Sequence, residues 1–125
     1  MSISVSLLIT ALAIVESNMD PNAIGDDGEA VGILQITPIV IRDVNRIFGT
    51  DYTLEDRKNV QFSRNICNLY LSYYGDKYEE DTGFKKSPEA LARIWNGGPY
   101  GYNKNHTKAY WLKVKKVIDY QKGER

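Results

Sequence analysis

The chain is poor in the residues that staple, ligate or interrupt. Among 125 residues there is one cysteine, Cys67, and one histidine, His106. A single thiol cannot close an intrachain disulfide, and one histidine with one cysteine falls short of a zinc site, so neither a disulfide scaffold nor a zinc module is available. Four prolines and ten glycines are too few for a collagen-like or low-complexity chain. An excess of either charge is also missing. Sixteen Lys and Arg offset sixteen Asp and Glu, so no overall field draws the chain to nucleic acid or to an anionic membrane. The apolar stretch Ser4–Val15 is too short to cross a bilayer. No Lys or Arg precedes it, and Glu16 stands where a signal peptide would need a small-residue cleavage site. No export signal is visible, and the stretch reads as a buried helix.

What is present is the composition of an ordinary soluble globular protein, 42% hydrophobic and 26% charged. A chain of this length buries roughly two-thirds of the surface it exposes when unfolded, enough to stand without disulfide, metal or partner. We expect one domain over residues 1–125, acting as a monomer without membrane insertion.

Only Ser4, Ser6 and Thr10 interrupt the apolar character of Ile3–Val15, so this helix is apolar nearly all round and belongs inside a bundle. Ser17, Asn18, Asp20 and Pro21 end it. The turn-rich run Asp20–Gly32 predicts a long loop or a small hairpin. Thr37-Pro38 and Gly49 bracket a second helix with apolar positions Ile41, Val44, Ile47 and Phe48. Thr53 and Asp56 resemble a capping box, with Asp in place of Glu, opening a helical stretch to about Tyr74 that allows a break near Lys58–Asn59. Gly75 is expected to stop it. A polar insert, Asp76–Lys86, then reaches Ser87-Pro88-Glu89, the start of a short helix through Trp95 that Asn96-Gly97-Gly98-Pro99 terminates. The last helix, about Thr107–Gln121, places Tyr110, Val114, Val117 and Ile118 inward and Lys113, Lys115 and Lys116 nearer water. The class is mainly α: a helical bundle around a buried N-terminal helix, with at most a small β element within residues 22–36.

Glu16 is the most informative residue for chemistry. At the end of a buried helix, desolvation and the negative end of the helix dipole both disfavour its carboxylate, and a carboxyl kept protonated near neutral pH is a general acid. Position alone leaves open the alternative that the chain turns outward there and the side chain is solvated. Asp26, in an Asp-Asp-Gly turn, is equally readable as a carboxylate that bonds only its local backbone. Cys67 reads as a packed thiol and His106 as a surface residue, while Glu79-Glu80 and the lysines of the last helix read as solvated faces.

The segment Glu16-Ser17, Asp20-Pro21-Asn22-Ala23, then Gly32-Ile33-Leu34-Gln35-Ile36, resembles the Glu-Ser … Gly-Leu-Met-Gln signature of soluble-lytic-transglycosylase-type (SLT) and goose-type lysozyme domains. Ala92-Arg93-Ile94-Trp95-Asn96-Gly97-Gly98-Pro99 is similar to that family's Ala-Tyr-Asn-Ala-Gly motif, and Tyr110 with Val114 to its closing Tyr-x-x-x-Val helix. The resemblance implies a lysozyme-like α+β fold and cleavage of the β-1,4 bond between N-acetylmuramic acid and N-acetylglucosamine in peptidoglycan, with Glu16 as the acid. It implies no metal or organic cofactor. Gln35, Trp95, Asn96 and Tyr110 would bind substrate, with Tyr100 and Tyr102 on a mobile loop as further candidates.

Two departures matter. Trp95 replaces the family's Tyr and keeps a stacking face but loses a hydroxyl. Near residue 25, transglycosylases of the family more often carry Ser where this chain has Gly25, whereas Asp26 matches the second acid of the goose type. A lytic transglycosylase, forming 1,6-anhydro ends, needs only Glu16; a hydrolytic muramidase would use Asp26 as its second carboxylate. A non-catalytic wall-binding or structural module is the rival from another class. The implied substrate places action at the cell wall, periplasmic or extracellular, with a phage endolysin or virion-associated enzyme as one route of delivery.

Overall fold

The computed structural model describes residues 3–123. They are mainly helical: α1 (Val5–Ser17), α2 (Pro38–Phe48), α3 (Val60–Thr82), α4 (Pro88–Gly97) and α5 (Thr107–Gln121), with two short strands, β1 (Ile24–Gly25) and β2 (Ala30–Val31). Contacts divide the chain into two compact units. A hairpin unit comprises Ala13–Tyr70; a terminal unit comprises the described residues up to Leu12 and those from Leu71 onward. Among the described residues no helix is long and apolar enough to cross a membrane.

Helix α1 begins where Ser4 Oγ accepts the Leu7 amide at 3.1 Å, a side-chain cap. Leu8, Ile9, Ala11, Leu12 and Ala13 are all buried, as expected of a helix apolar on most sides.

In the hairpin unit, β1 and β2 pair antiparallel with Ile24 opposite Val31 and Gly25 opposite Ala30, and Val31 bridges on to Ile36. The turn-rich run is thus a small hairpin. Gly49, at φ 67°, ends α2 with its amide on the Asn45 carbonyl. Thr37 supplies a backbone start to α2, its side chain making no cap bond. The Thr53–Asp56 box forms reciprocally, Thr53 N to Asp56 Oδ2 at 2.8 Å and Asp56 N to Thr53 Oγ1 at 3.3 Å. It opens only the single turn Glu55–Lys58; Asn59 Oδ1 then caps α3 by accepting the Phe62 amide. The break near Lys58–Asn59 is real.

In the terminal unit the expected stop at Gly75 fails, because α3 continues to Thr82 and absorbs much of the polar insert. Glycine costs an interior helix about 1 kcal/mol relative to alanine, which neighbouring contacts readily outweigh. Its small size is used: a Cβ there would lie 3.0 Å from Leu91 Cδ2 and 3.3 Å from Lys86 Cδ. Ser87 Oγ accepts the Ala90 amide and caps α4, which packs against α5 through a core that includes Leu91, Ile94, Val114 and Ile118.

Gly32, at φ 90°, is the tightest backbone position in the hairpin unit, since a Cβ there would overlap the Arg57 carbonyl oxygen. Gly32→Ala should therefore cost about 2–4 kcal/mol, combining left-handed strain with displacement of backbone. Gly28→Ala, also at positive φ but facing open space, should cost only about 1 kcal/mol. Urea denaturation of both variants checks the order.

Candidate active site

The last turn of α1 carries Glu16 and Ser17 into the hairpin unit. After Ser17 the chain reverses through two left-handed residues, Asn18 (φ 56°) and Met19 (φ 66°), and Asp20 Oδ1 accepts the Asn22 amide at 2.9 Å. Ser17 Oγ donates to the Ile33 carbonyl at 2.8 Å and accepts from the Asp20 amide at 3.1 Å. The hydroxyl beside Glu16 thereby ties the helix end to the turn that follows β2. Glu16 itself is half-buried. Its charge reaches Cys67 of α3, whose thiol is fully buried; burial first, and then Glu16, push that thiol well above its usual range, with Arg64 acting the other way.

Gln35 is held in a left-handed conformation, φ 53°, at the end of that same turn. Its Nε2 donates to the carbonyls of Ala23 at 3.2 Å and Gly32 at 3.1 Å, so the amide braces the base of the hairpin. A Cβ on Gly25 would overlap Gln35 Oε1. The structure thus brings Gln35 and Gly25 together, and the carboxamide oxygen of Gln35 fills the space that a side chain at 25 would enter. Asp26 sits at the hairpin tip, exposed, in a three-residue turn where Asp26 (φ 51°), Asp27 (φ 55°) and Gly28 (φ 96°) are all left-handed.

Arg57 was not singled out from the sequence, yet it organises this region. Only 8% exposed, it pairs with no carboxylate among the described residues. Nε donates to the Leu54 carbonyl at 2.8 Å, and Nη1 lies within bonding distance of the Glu29 and Ile36 carbonyls at 2.9 and 3.0 Å. Its own carbonyl accepts from buried Ser63 Oγ at 2.8 Å. The guanidinium therefore clamps both flanks of β2 to the Glu55–Lys58 turn.

Trp95, Asn96 and Tyr110 belong to the terminal unit. Trp95 and Asn96 lie in the last turn of α4, Trp95 half-buried and Asn96 exposed; Tyr110 is half-buried in the first turns of α5. The loop after α4 is densely bonded rather than loose. Gly101 N meets the Gly98 carbonyl at 2.7 Å, Lys104 Nζ donates to the Gly97 carbonyl at 2.8 Å, and Arg93 Nη2 donates to the Lys104 carbonyl at 3.0 Å.

These features meet a family pattern. Residues 3–118 match the model of the transglycosylase SLT domain, and the chain belongs to that family, whose lysozyme-like function is directed at peptidoglycan. A chain in the crystal structure of Aeromonas hydrophila PliI in complex with Meretrix lusoria lysozyme shares the fold, with a TM-score of 0.75 over 94% of this chain and 93% of that one, at 22% identity. No curated protein matches.

Two measurements check the hairpin unit. Arg57→Ala removes three side-chain hydrogen bonds, leaving the Glu29 carbonyl without its donor while the Leu54 and Ile36 carbonyls keep backbone ones, and should cost about 3 kcal/mol, whereas Arg57→Lys, keeping one charged donor, should cost clearly less in the same urea titration. Because the Cys67 thiol is raised and buried, thiolate should be scarce at pH 8: a thiol-specific disulfide reagent should react at least about 100-fold more slowly with folded than with urea-unfolded protein.

Proposed function

We propose that the protein cleaves the β-1,4 bond between N-acetylmuramic acid and N-acetylglucosamine in peptidoglycan as a lytic transglycosylase, with Glu16 as its acid. The observation that carries this reading is the family match together with the half-buried position of Glu16 on the last turn of α1. In the proposed reaction the Glu16 carboxyl protonates the bridging oxygen as the C1–O bond breaks and N-acetylglucosamine leaves. The carboxylate so formed removes the proton from the muramic acid 6-hydroxyl, whose oxygen closes on C1 to give the 1,6-anhydro end. Glu16 is reprotonated, no water is consumed, and no second carboxylate is required.

In this reading Gln35 shapes the hairpin next to the acid, while Trp95, Asn96 and Tyr110 contact the glycan. A hydrolytic outcome would need Asp26 to activate water. Its exposure at the hairpin tip gives it no feature beyond that of a solvated turn residue, so we favour the anhydro product. The protein acts at the cell wall as a monomer, without a resident metal or cofactor.

Glu16→Gln should slow clearing of purified sacculi by about 10³-fold while leaving the circular dichroism spectrum unchanged. Wild type should release muropeptides with anhydro ends, one water lighter than reducing ends by mass spectrometry. Reducing ends alone would replace the transglycosylase by the hydrolase. Equal clearing by both proteins would remove Glu16 from the mechanism.

A further inference from the structure

The even charge balance of the whole chain conceals a division between its units. By sequence, the terminal unit carries eleven Lys and Arg against seven Asp and Glu, the hairpin unit five against nine. Much of that excess is gathered on α5, where Thr107–Gln121 holds four lysines and one aspartate. The helix turns Thr107, Val114 and Ile118 inward, all buried. On the outer side Lys108, Leu112, Lys116 and Tyr120 follow at four-residue steps, which keeps them on one stripe, and all four are exposed. Lys113 and Lys115, also exposed, flank it. Leu112 is 61% exposed and Tyr120 65%, so the stripe alternates cation and apolar surface in water. Lys115 Nζ meets Asp119 Oδ2 at 3.0 Å, whereas among the described residues Lys108, Lys113 and Lys116 pair with no carboxylate. Leu112, Lys113, Lys115, Lys116 and Asp119 border an open hollow of about 410 Å³.

We propose that the outer face of α5 docks on the surface of a bilayer rich in anionic phospholipid. Lysines alone would suit any polyanion; the alternation selects a lipid surface. At such a surface ammonium groups sit at the level of the phosphates, while an apolar side chain and a tyrosine ring between them reach the headgroup–acyl boundary. A soluble phosphate polymer would satisfy the three unpaired lysines and leave Leu112 in water. A second copy presenting the same face would meet its own charge, so self-association is disfavoured there. The contact is peripheral, since no described helix is long and apolar enough to cross a membrane, and the stripe from Lys108 to Tyr120 runs about 18 Å along the surface. Each lysine near an anionic surface strengthens partitioning about fivefold, so three unpaired ones together supply on the order of 100-fold. The face includes neither Glu16 nor Trp95, Asn96 and Tyr110, and it stands or falls apart from the proposed reaction.

The test is co-sedimentation of the full chain with vesicles of phosphatidylglycerol and phosphatidylcholine, mixed about one to two, against vesicles of phosphatidylcholine alone. Wild type should sediment with the mixed vesicles at least about 20-fold more strongly than with the neutral ones, and added salt should release it. Replacing two lysines together, Lys113→Gln with Lys116→Gln, should weaken binding about 25-fold. Leu112→Ser should weaken it about fivefold, through lost apolar contact. A tryptophan placed by Leu112→Trp should be quenched by mixed vesicles whose acyl chains are brominated, beyond the quenching seen in the parent protein. Sedimentation of wild type with neither vesicle, or equally with both, overturns the proposal without recourse to any variant. Undiminished binding by the double lysine variant also overturns it. So does binding that needs the lysines but is indifferent to Leu112→Ser and shows no quenching by bromine, the behaviour of a face for soluble polyanions.

Discussion

A helix that is apolar on nearly every side is stable where water is excluded from it, and α1 meets that constraint by burying Leu8, Ile9, Ala11, Leu12 and Ala13. Its final turn then has to pass from an apolar interior to a chain reversal within a few residues. Glu16 occupies that passage. Each side chain around it serves the change of direction: Ser17 grips the Ile33 carbonyl, Asn18 and Met19 take left-handed backbone, and Asp20 closes an Asx turn. Half-burial of a carboxyl is thus a consequence of how the helix stops, and the proposed acid chemistry draws on it.

The hairpin unit shows how polar groups can organise a small β element that has too few ladder bonds to hold itself. Two paired residues per strand are far below what an isolated hairpin needs in water. Arg57 supplies the deficit by bonding carbonyls on either side of β2, and Gln35 does so from the opposite end through Ala23 and Gly32. Buried donors aimed at carbonyls stabilise only while every partner is present, so this region trades tolerance of substitution for a defined geometry. Arg93 and Thr107 repeat the device beneath the tyrosine-bearing turn of the terminal unit.

Local signals made much of the fold readable. Ser87-Pro88, Gly49 and the Thr53–Asp56 box each mark a real boundary, because caps and left-handed glycines act through residues a few positions away. Gly75 misleads for the complementary reason: its helix continues owing to Leu91 and Lys86, distant in sequence, which no local propensity reveals. The family was legible from ordered short motifs, and the place of residue 16 in the last turn of α1 from the apolar run before it. Arg57 and Arg93 were not, since a buried arginine that bonds backbone carbonyls has no periodicity or spacing of its own. The loop bearing Tyr100 and Tyr102 reads as mobile from the sequence, whereas Arg93 of α4 and Thr107 of α5 bond its Lys104 and Gly101 carbonyls, contacts that no local pattern reveals.

The central claim is that the carboxyl at the end of α1 meets the glycosidic oxygen of a bound glycan strand. A crystal structure of the Glu16→Gln variant with a peptidoglycan tetrasaccharide tests it most directly. The account predicts a bridging glycosidic oxygen about 3 Å from the substituted side chain at position 16. A tetrasaccharide bound with every glycosidic oxygen beyond reach of that position would contradict it.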